Sequence, residues 1–298
     1  MYSILIVDDE FSIRTMLMDY LEEFYEVEVA ENAQEALNLC KKKYFNLVIS
    51  DINMPGMKGP ELLLEIKRLY PETRTALITA YNIDDYINLA RKSGVSNIIP
   101  KTSPFNFKEL FDIVDGLLTG NIFGLRRYMN DNYINFGEFC IKSSKEAKDV
   151  REAIVTLLKE RLGVIGDMRL ILDEIITNAI YHAPAFEDGT KKYEEFSDVV
   201  LEPQEYVYLE CGYDSEKYGV SVVDKMGRLT KEIVLYKIER QINGKGILDD
   251  SGRGIHMSRL FSDRLIINIA PKIKTEVIMM NYFTNKYRGY KPVYINEL

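Results

Sequence analysis

The chain has few cysteines and no long apolar run, and both shortages limit what it can be. Its three cysteines, Cys40, Cys140 and Cys211, are odd in number and far apart, so they form neither a CxxC motif nor a disulfide framework. No run of about 18 apolar residues occurs, so we expect no membrane-spanning helix. The N-terminus turns acidic after a few apolar residues, which is not typical of a secretory signal. These features predict a cytoplasmic protein without membrane contact.

Basic residues are also fewer than acidic residues. Lys and Arg total 38 against 46 Asp and Glu, which gives a formal net charge of −8 over 298 residues. Because nucleic-acid binding normally needs a basic surface, we expect no direct nucleic-acid contact. The length suggests about two domains.

Short apolar runs alternate with helical patterns in residues 1–119. We predict strands at residues 3–7, 25–29, 45–50, 75–79 and 96–99, and helices at residues 12–23, 33–42, 61–70, 85–92 and 107–118. Five such units predict an α/β domain with a doubly wound, five-stranded parallel sheet between helices. Residues 120–135 break the alternation, and we interpret them as a helical connector.

From residue 136 onward the pattern changes to α+β. We predict helices at residues 145–161 and 166–182, a loop at 187–197, and extended segments at 136–142, 199–201, 206–213, 219–224, 265–269 and 276–282. Such elements favour a sandwich with helices on one face of a largely antiparallel or mixed sheet. The predicted domains are therefore residues 1–119 and 136–298.

Polar residues follow the predicted strands of the first domain. Asp8 and Asp9 follow the first strand, and Asp51, Thr79 and Lys101 lie at the ends of the third, fourth and fifth. Because ligands of doubly wound sheets bind at this edge, we expect these side chains to converge. Carboxylate oxygens suit Mg²⁺, and a metal-bound carboxylate can attack a phosphoryl group. Thr79 can then hydrogen-bond the phosphoryl oxygens and Lys101 can neutralise them.

The segments ILIVDDE, VISDINMPGMKG, LITAY and IIPKTSPF resemble the receiver domain of two-component response regulators. The resemblance covers residues 1–119 and implies a flavodoxin-like fold. It implies that Asp51 is the phosphoacceptor, that Asp8 and Asp9 form an acidic Mg²⁺ pocket, and that Asn53 supplies a backbone carbonyl. It also implies a cognate sensor histidine kinase as the partner.

The second domain carries another polar group. Glu174, Asn178 and His182 are spaced i, i+4, i+8, so they lie on one face of a helix. Gly252 and Gly254 begin a helical pattern, where backbone N–H groups can bind phosphate. No G-x-x-x-x-G-K-[ST] motif occurs, which excludes a P-loop nucleotide site.

Together with VSVVDKMGRL, SGRGIHMSRLF and KTEV, these residues resemble the ATP-binding domain shared by gyrase, Hsp90, histidine kinases and mismatch-repair ATPases. The closest branch is that of the anti-sigma-factor serine kinases, and the resemblance covers about residues 136–285. It implies that Asn178 binds an Mg²⁺ bridging the ATP phosphates, that Asp224 accepts from the adenine amine, and that Glu174 is a general base. The remaining residues that it assigns to the nucleotide site are Gly227, Gly252, Arg253, Gly254 and Thr275.

Two functions remain open for the second domain. In the first, phosphorylation of Asp51 controls an ATP-dependent domain that phosphorylates Ser or Thr of a small antagonist protein, sequesters a sigma factor, or both. In the second, a non-catalytic module holds nucleotide and acts by partner sequestration only. Glu174 and Asn178 favour the enzyme, whereas Met226 and Arg228 favour the binding module because they occupy the glycine positions of the related D-x-G-x-G motif.

The positions of the histidines exclude a sensor histidine kinase. No histidine occurs in residues 1–181, so the phosphoacceptor histidine of a sensor kinase is missing before the ATP-binding domain. The resemblance also allows a homodimer.

Overall fold

A computed structural model of the chain describes residues 1–80, 94–95, 97–163, 168–242, 253–284, 286–287 and 291–298. The chain divides into two compact units. The first comprises Met1–Ile122 and Lys286–Tyr294, and the second comprises Phe123–Asn285 and Ile295–Leu298. Most of the predicted connector, from Phe123 onward, therefore belongs to the second unit.

The first unit contains a five-stranded parallel sheet in the order β2-β1-β3-β4-β5. Its strands are β1 Ser3–Val7, β2 Glu26–Ala30, β3 Leu47–Asp51, β4 Arg74–Thr79 and β5 Ile98–Pro100. Its described helices are α1 Phe11–Leu21, α2 Ala33–Cys40, α3 Gly59–Leu69 and α4 Phe107–Thr119. The predicted doubly wound sheet is confirmed. The helix predicted at residues 85–92 lies outside the described residues.

Local sequence explains these elements. All five residues of β1, SILIV, are buried, as expected for a strand covered on both faces of a parallel sheet. Helix α2 begins after Asn32, whose side chain accepts from the Glu35 N–H, and Asn106 accepts from the Glu109 N–H in the same way at α4. Gly120 ends α4 in a left-handed conformation.

The second unit is built on a six-stranded sheet in the order β11-β9-β10-β8-β7-β6. Its strands are β6 Ile134–Ile141, β7 Val207–Tyr213, β8 Lys217–Asp224, β9 Arg264–Ala270, β10 Lys274–Tyr282 and β11 Val293–Glu297. The pairs β6–β7, β7–β8, β8–β10 and β10–β9 are antiparallel. Its described helices are α5 Ser144–Leu162, α6 Met168–Thr177, α7 Lys231–Ile242 and α8 Arg253–Phe261.

The sequence-based description of this half of the chain was incomplete or wrong at five points. The connector is not a helix, because Gly124 has φ +98° and only the short 3₁₀ segment Leu125–Tyr128 follows it. Residues 199–201 form no strand, since Val200 makes a single bridge to Ser143. Helix α7 and strand β11 were not predicted. The helix predicted to reach residue 182 leaves α-helical geometry after Thr177 and continues as the π-helical segment Asn178–His182.

No described helix of either unit combines the length and the apolar character needed to span a membrane.

Candidate functional site

The first site lies where β1, β3, β4 and β5 end. The Lys101 ammonium lies 2.7 Å from Asp51 Oδ1 and 3.0 Å from Asp8 Oδ2. Asp8 is fully buried and Asp51 is 6% exposed, so this lysine joins two carboxylates that water hardly reaches. The sequence-based prediction that these three residues converge therefore agrees with the geometry.

Burial and charge set the protonation of this cluster. Burial raises the pKa of Asp8, and the nearby Asp51 charge adds to the rise, although the Lys101 ammonium opposes both. Burial alone lowers the pKa of Lys101, but its hydrogen bonds to Asp51 and Asp8 outweigh burial and hold that pKa above its ordinary value. Lys101 is therefore a permanent positive charge beside the Asp51 carboxylate.

The other predicted residues of this site are placed differently. The Asn53 N–H donates to Asp51 Oδ2 at 2.6 Å. Thr79 is buried, and its carbonyl accepts from the Lys101 N–H at 2.8 Å. Asp9 is exposed. Sequence reasoning missed Glu10, whose Oε1 lies 3.2 Å from Lys101 Nζ, although its place directly after Asp8 and Asp9 could have indicated it.

The described residues contain no group of three or more His, Cys, Asp or Glu side chains ready to hold a metal ion. The donor set still suits a hard cation, because Asp8 and Asp51 present carboxylate oxygens and share one lysine as their positive partner.

Gly59 fixes the main chain of Asp51. A Cβ atom on Gly59 would lie 1.9 Å from the Asp51 carbonyl oxygen and 2.9 Å from Ser50 Oγ. The first residue of α3 therefore touches the strand that carries Asp51, and only glycine leaves room for this contact.

The second site is a cavity of about 310 Å³ in the second unit. Its floor is apolar and comes from neighbouring strands of the sheet, with Val222, Leu265, Ile267 and Val277. Helices α6, α7 and α8 and residues 183–191 complete its wall. A concave site of this size with an apolar floor and a few polar groups is typical of a small-molecule pocket.

Asp224 and Thr275 supply polar groups at the sheet end of the cavity. They are paired in the register of β8 and β10. Burial raises the pKa of Asp224, while its hydrogen bonds from the N–H groups of Met226 and Gly227 oppose the rise. Thr275 is 3% exposed, and its side chain lies beside the Asp224 carboxylate and helps to lower the pKa of that group. Polar groups placed in this way favour a ligand with polar edges.

Gly227 closes the turn after Asp224. It has φ +56°, and a Cβ atom there would lie 2.3 Å from the Ala270 carbonyl oxygen. Its own carbonyl accepts from the Lys272 N–H at 2.8 Å. Gly227 therefore holds the Asp224 loop against the β9–β10 turn and does not line the cavity.

The polar stripe of α6 is divided by the change to π-helical geometry. Asn178 and His182 line the cavity, and His182 Nε2 lies 2.8 Å from Glu195 Oε1. The Asn178 amide group donates to the Glu174 carbonyl, so its amide oxygen is the polar atom left for a ligand. Glu174 does not line the cavity: its side chain packs against Gly254, where a Cβ atom would lie 1.9 Å from Glu174 Cγ.

The predicted glycine turn is partly outside the described residues. Gly252 is among the residues that the structure does not describe. Arg253 is the first residue of α8, and Gly254 is buried against Glu174. Sequence reasoning did not assign Lys191 and Lys237 to this site, and it treated Arg228 only as a departure from a motif. All three line the cavity, and no sequence pattern joins them.

Comparison with known proteins identifies the first unit. Residues 4–115 match the family described as response regulator receiver domain. A response regulator receiver protein from Anaeromyxobacter sp. is 40% identical over 98 residues, which cover 33% of this chain and 41% of that protein. Sporulation initiation phosphotransferase F from Bacillus subtilis is 35% identical over 112 residues, which cover 37% of this chain and 89% of that protein.

A solved structure gives a similar match. The response regulator protein TrrA from Thermotoga maritima, in complex with Mg²⁺-BeF, is 40% identical, and the match covers 40% of this chain and 100% of that chain with a TM-score of 0.36. Among the first curated relatives, the chain spans only 23% to 41% of their length.

Proposed function

The chain belongs to the response regulator receiver family through residues 4–115, and from this premise we propose that phosphorylation of Asp51 controls an ATP-binding output domain. The output is phosphorylation of Ser or Thr on a partner protein, or sequestration of that partner, as in anti-sigma partner switching. The observation that carries the proposal is the pair of buried carboxylates, Asp8 and Asp51, joined by Lys101 at one strand edge.

The chemistry of the first site follows from this geometry. An Asp51 carboxylate oxygen attacks the phosphorus of a phosphohistidine on a sensor kinase; the new P–O bond forms as the P–N bond breaks, and the imidazole leaves. Lys101 Nζ, already 2.7 Å from Asp51 Oδ1, neutralises the incoming charge. Mg²⁺ held by Asp8, Asp9, Asp51 and the Asn53 carbonyl would offset charge on the phosphoryl oxygens. The Thr79 hydroxyl is the proposed hydrogen-bond donor to those oxygens.

A phosphodonor assay tests this half of the proposal. Acetyl phosphate with Mg²⁺ should add one phosphoryl group to the wild-type protein, and Asp51→Asn should remove the labelling because the amide is not a nucleophile. Intact-mass analysis measures both. Equal labelling of the two proteins would remove Asp51 from this role.

The second unit is proposed to bind ATP in the cavity described above. Asp224 and the neighbouring Thr275 hydroxyl line the cavity above its apolar floor and offer polar groups to the adenine edge. Asn178 offers its amide oxygen from the helix side to the cation that accompanies the phosphates. Gly252, Arg253 and Gly254 are proposed as the phosphate lid, and Gly227 as the residue that fixes the adenine loop.

One observation favours sequestration as the output. The general-base role of Glu174 requires its carboxylate to face the phosphates, whereas its side chain packs against Gly254 and does not line the cavity. A serine kinase reaction would therefore need α8 to move away from α6. Without such a movement, the domain binds nucleotide and acts by holding a small antagonist protein or a sigma factor.

Isothermal titration with ATP and GTP tests the nucleotide proposal. Asp224→Asn keeps the side-chain size but presents an amide donor to the adenine amine, so ATP affinity should fall by about tenfold to a hundredfold. The matched control is Asp198→Asn, because Asp198 lies in an exposed ion pair with Lys145 and does not line the cavity. Wild-type protein that binds neither nucleotide, or an Asp224→Asn variant that binds ATP normally, would contradict the assignment.

A further inference from the structure

Three cationic side chains line the cavity of the second unit. Lys191 lies in the segment after the π-helical turn, Arg228 follows Asp224, and Lys237 lies on α7. Within the described ranges none of their side chains makes a hydrogen bond or a salt bridge, although the Glu174 carboxylate acts on Lys237 electrostatically. Asp224 is the one acidic side chain among the described residues that line the cavity. This concentration of positive charge is unexpected in a chain whose net charge is −8.

The cations lie close enough to influence one another. Burial lowers the pKa of Lys237, the Glu174 carboxylate opposes this change, and the Lys191 ammonium adds to it. Lys237 is half-buried, so its ammonium has lost part of its hydration, which the Glu174 carboxylate offsets only in part. Arg228 extends towards the Lys191 segment, because its Nη2 lies 3.7 Å from the place of a Cβ on Gly189.

Such an arrangement costs free energy unless an anion occupies the cavity. Like charges gathered around one half-enclosed space repel, and the half-buried Lys237 has also lost part of its hydration, whereas Lys191 and Arg228 are exposed. A polyphosphate removes both costs, because each of its oxygens can accept from a lysine or from the arginine fork. The sheet end of the same cavity carries an acidic group instead, because Asp224 lies there and can accept a hydrogen bond from an amine.

We propose that Lys191, Arg228 and Lys237 form a cationic wall that binds the phosphate groups of an adenine nucleotide whose base lies at Asp224. This inference rests on the proposed ATP-binding function and adds to it the residues that recognise the phosphates. It also gives Arg228 a role. In the related D-x-G-x-G motif a glycine stands at this position, whereas this chain supplies a guanidinium.

Three variants of the full-length chain test the wall by titration with Mg²⁺-ATP. Lys237→Met keeps the length and apolar character of the side chain but removes its charge, and should weaken ATP binding by about tenfold to a hundredfold. Lys237→Arg restores a positive charge and should recover affinity to within about threefold of wild type. Lys231→Met is the matched control, because Lys231 begins the same helix but does not line the cavity, and it should bind as wild type does.

The outcomes separate this inference from the function on which it rests. Wild-type protein that binds no ATP would overturn the ATP-binding proposal and the wall together. Wild-type binding that Lys237→Met leaves unchanged would overturn the wall alone. Equal weakening by Lys237→Met and Lys237→Arg would also overturn it, because shape and not charge would then be decisive. Thermal melting of each variant checks that the fold is intact.

Discussion

Contacts of single atoms fix the position of Asp51, the proposed phosphoacceptor, and Gly59 is the clearest case. A methyl group at this position would overlap the Asp51 carbonyl oxygen, which lies only 1.9 Å from the ideal Cβ position. Because that oxygen belongs to the backbone, either α3 or the end of β3 has to move. Either movement displaces the carboxylate from Lys101.

We therefore expect Gly59→Ala to cost about 1–3 kcal/mol of unfolding free energy and to slow phosphorylation of Asp51. Urea unfolding measures the first effect, and intact-mass analysis with acetyl phosphate measures the second. The control is Gly163→Ala in the second unit, where φ is +65° and no atom lies within 4 Å of the added Cβ. We expect that variant to lose about 1–2 kcal/mol of unfolding free energy through backbone strain, while phosphorylation of Asp51 stays as in wild type. Normal labelling of Gly59→Ala would contradict the account.

Single residues differ in how well the sequence predicts their place. The sequence predicts that three side chains lie together, because the carboxyl ends of parallel strands meet at one edge of the sheet. These are the side chains of Asp8, Asp51 and Lys101. The grouping of Lys191 and Lys237 could not be predicted, because they lie 46 positions apart on a loop and on a helix that the sequence pattern did not predict. The contact of Glu174 with Gly254 could not be predicted either, because it depends on how closely helices α6 and α8 approach each other.

Among the secondary-structure elements, the segment from Phe123 to residue 135 is held to the second unit by two buried carboxylates. Glu276 is 2% exposed, and its Oε2 accepts from the Gly124 N–H at 2.9 Å. Asp214 accepts from the Asn130 N–H at 2.8 Å and lies 3.0 Å from Lys217 Nζ. The segment is irregular because backbone N–H groups of Gly124 and Asn130 bind to side chains of the second unit.

Removing the charge of Asp214 should therefore destabilise the second unit. Asp214→Asn leaves Lys217, whose side chain is 5% exposed, without its buried partner, and we expect a cost of about 3–5 kcal/mol at pH 7. Burial by itself raises the pKa of Asp214, but its hydrogen bonds from Asn130 and Glu216 and the Lys217 charge bring that pKa below its ordinary 3.8.

The sign of this pKa shift predicts a pH dependence. Because the pKa is lowered by folding, the stabilisation is present above pH 3.8 and is lost as the pH falls through the lowered value. The gap between wild type and Asp214→Asn in urea unfolding should thus be widest near neutral pH and shrink below 3.8. The control is the exposed Asp198→Asn, which should change little at any pH. A gap that persists unchanged in acid would argue against the buried ion pair.

The elements also show where sequence patterns fail. Strands β1 and β3 of the first sheet were predictable because they are buried on both faces and read as apolar runs. The connector was interpreted as a helix because the alternation of strands and helices breaks there, whereas its conformation is set by partners as distant as Glu276. Strand β11 was missed because its pairing partner, β9, lies far earlier in the chain.

For the chain as a whole, the receiver site and the proposed nucleotide cavity belong to different units. The family match covers the first unit, so the link between the two sites is a proposal. A phosphoryl group at Asp51 can change the output only if it stabilises one arrangement of the chain more than another. Coupling free energies of this kind are typically about 1–3 kcal/mol, which corresponds to roughly 5- to 150-fold in affinity.

The most direct measurement is isothermal titration of Mg²⁺-ATP into the full-length protein with and without beryllofluoride, which mimics the phosphoryl group at Asp51. Our account predicts that ATP affinity differs by about 5- to 150-fold between the two states, and that Asp51→Asn abolishes the difference. Identical ATP affinities, with occupancy of the Asp51 site by the mimic confirmed by fluorine NMR, would contradict it.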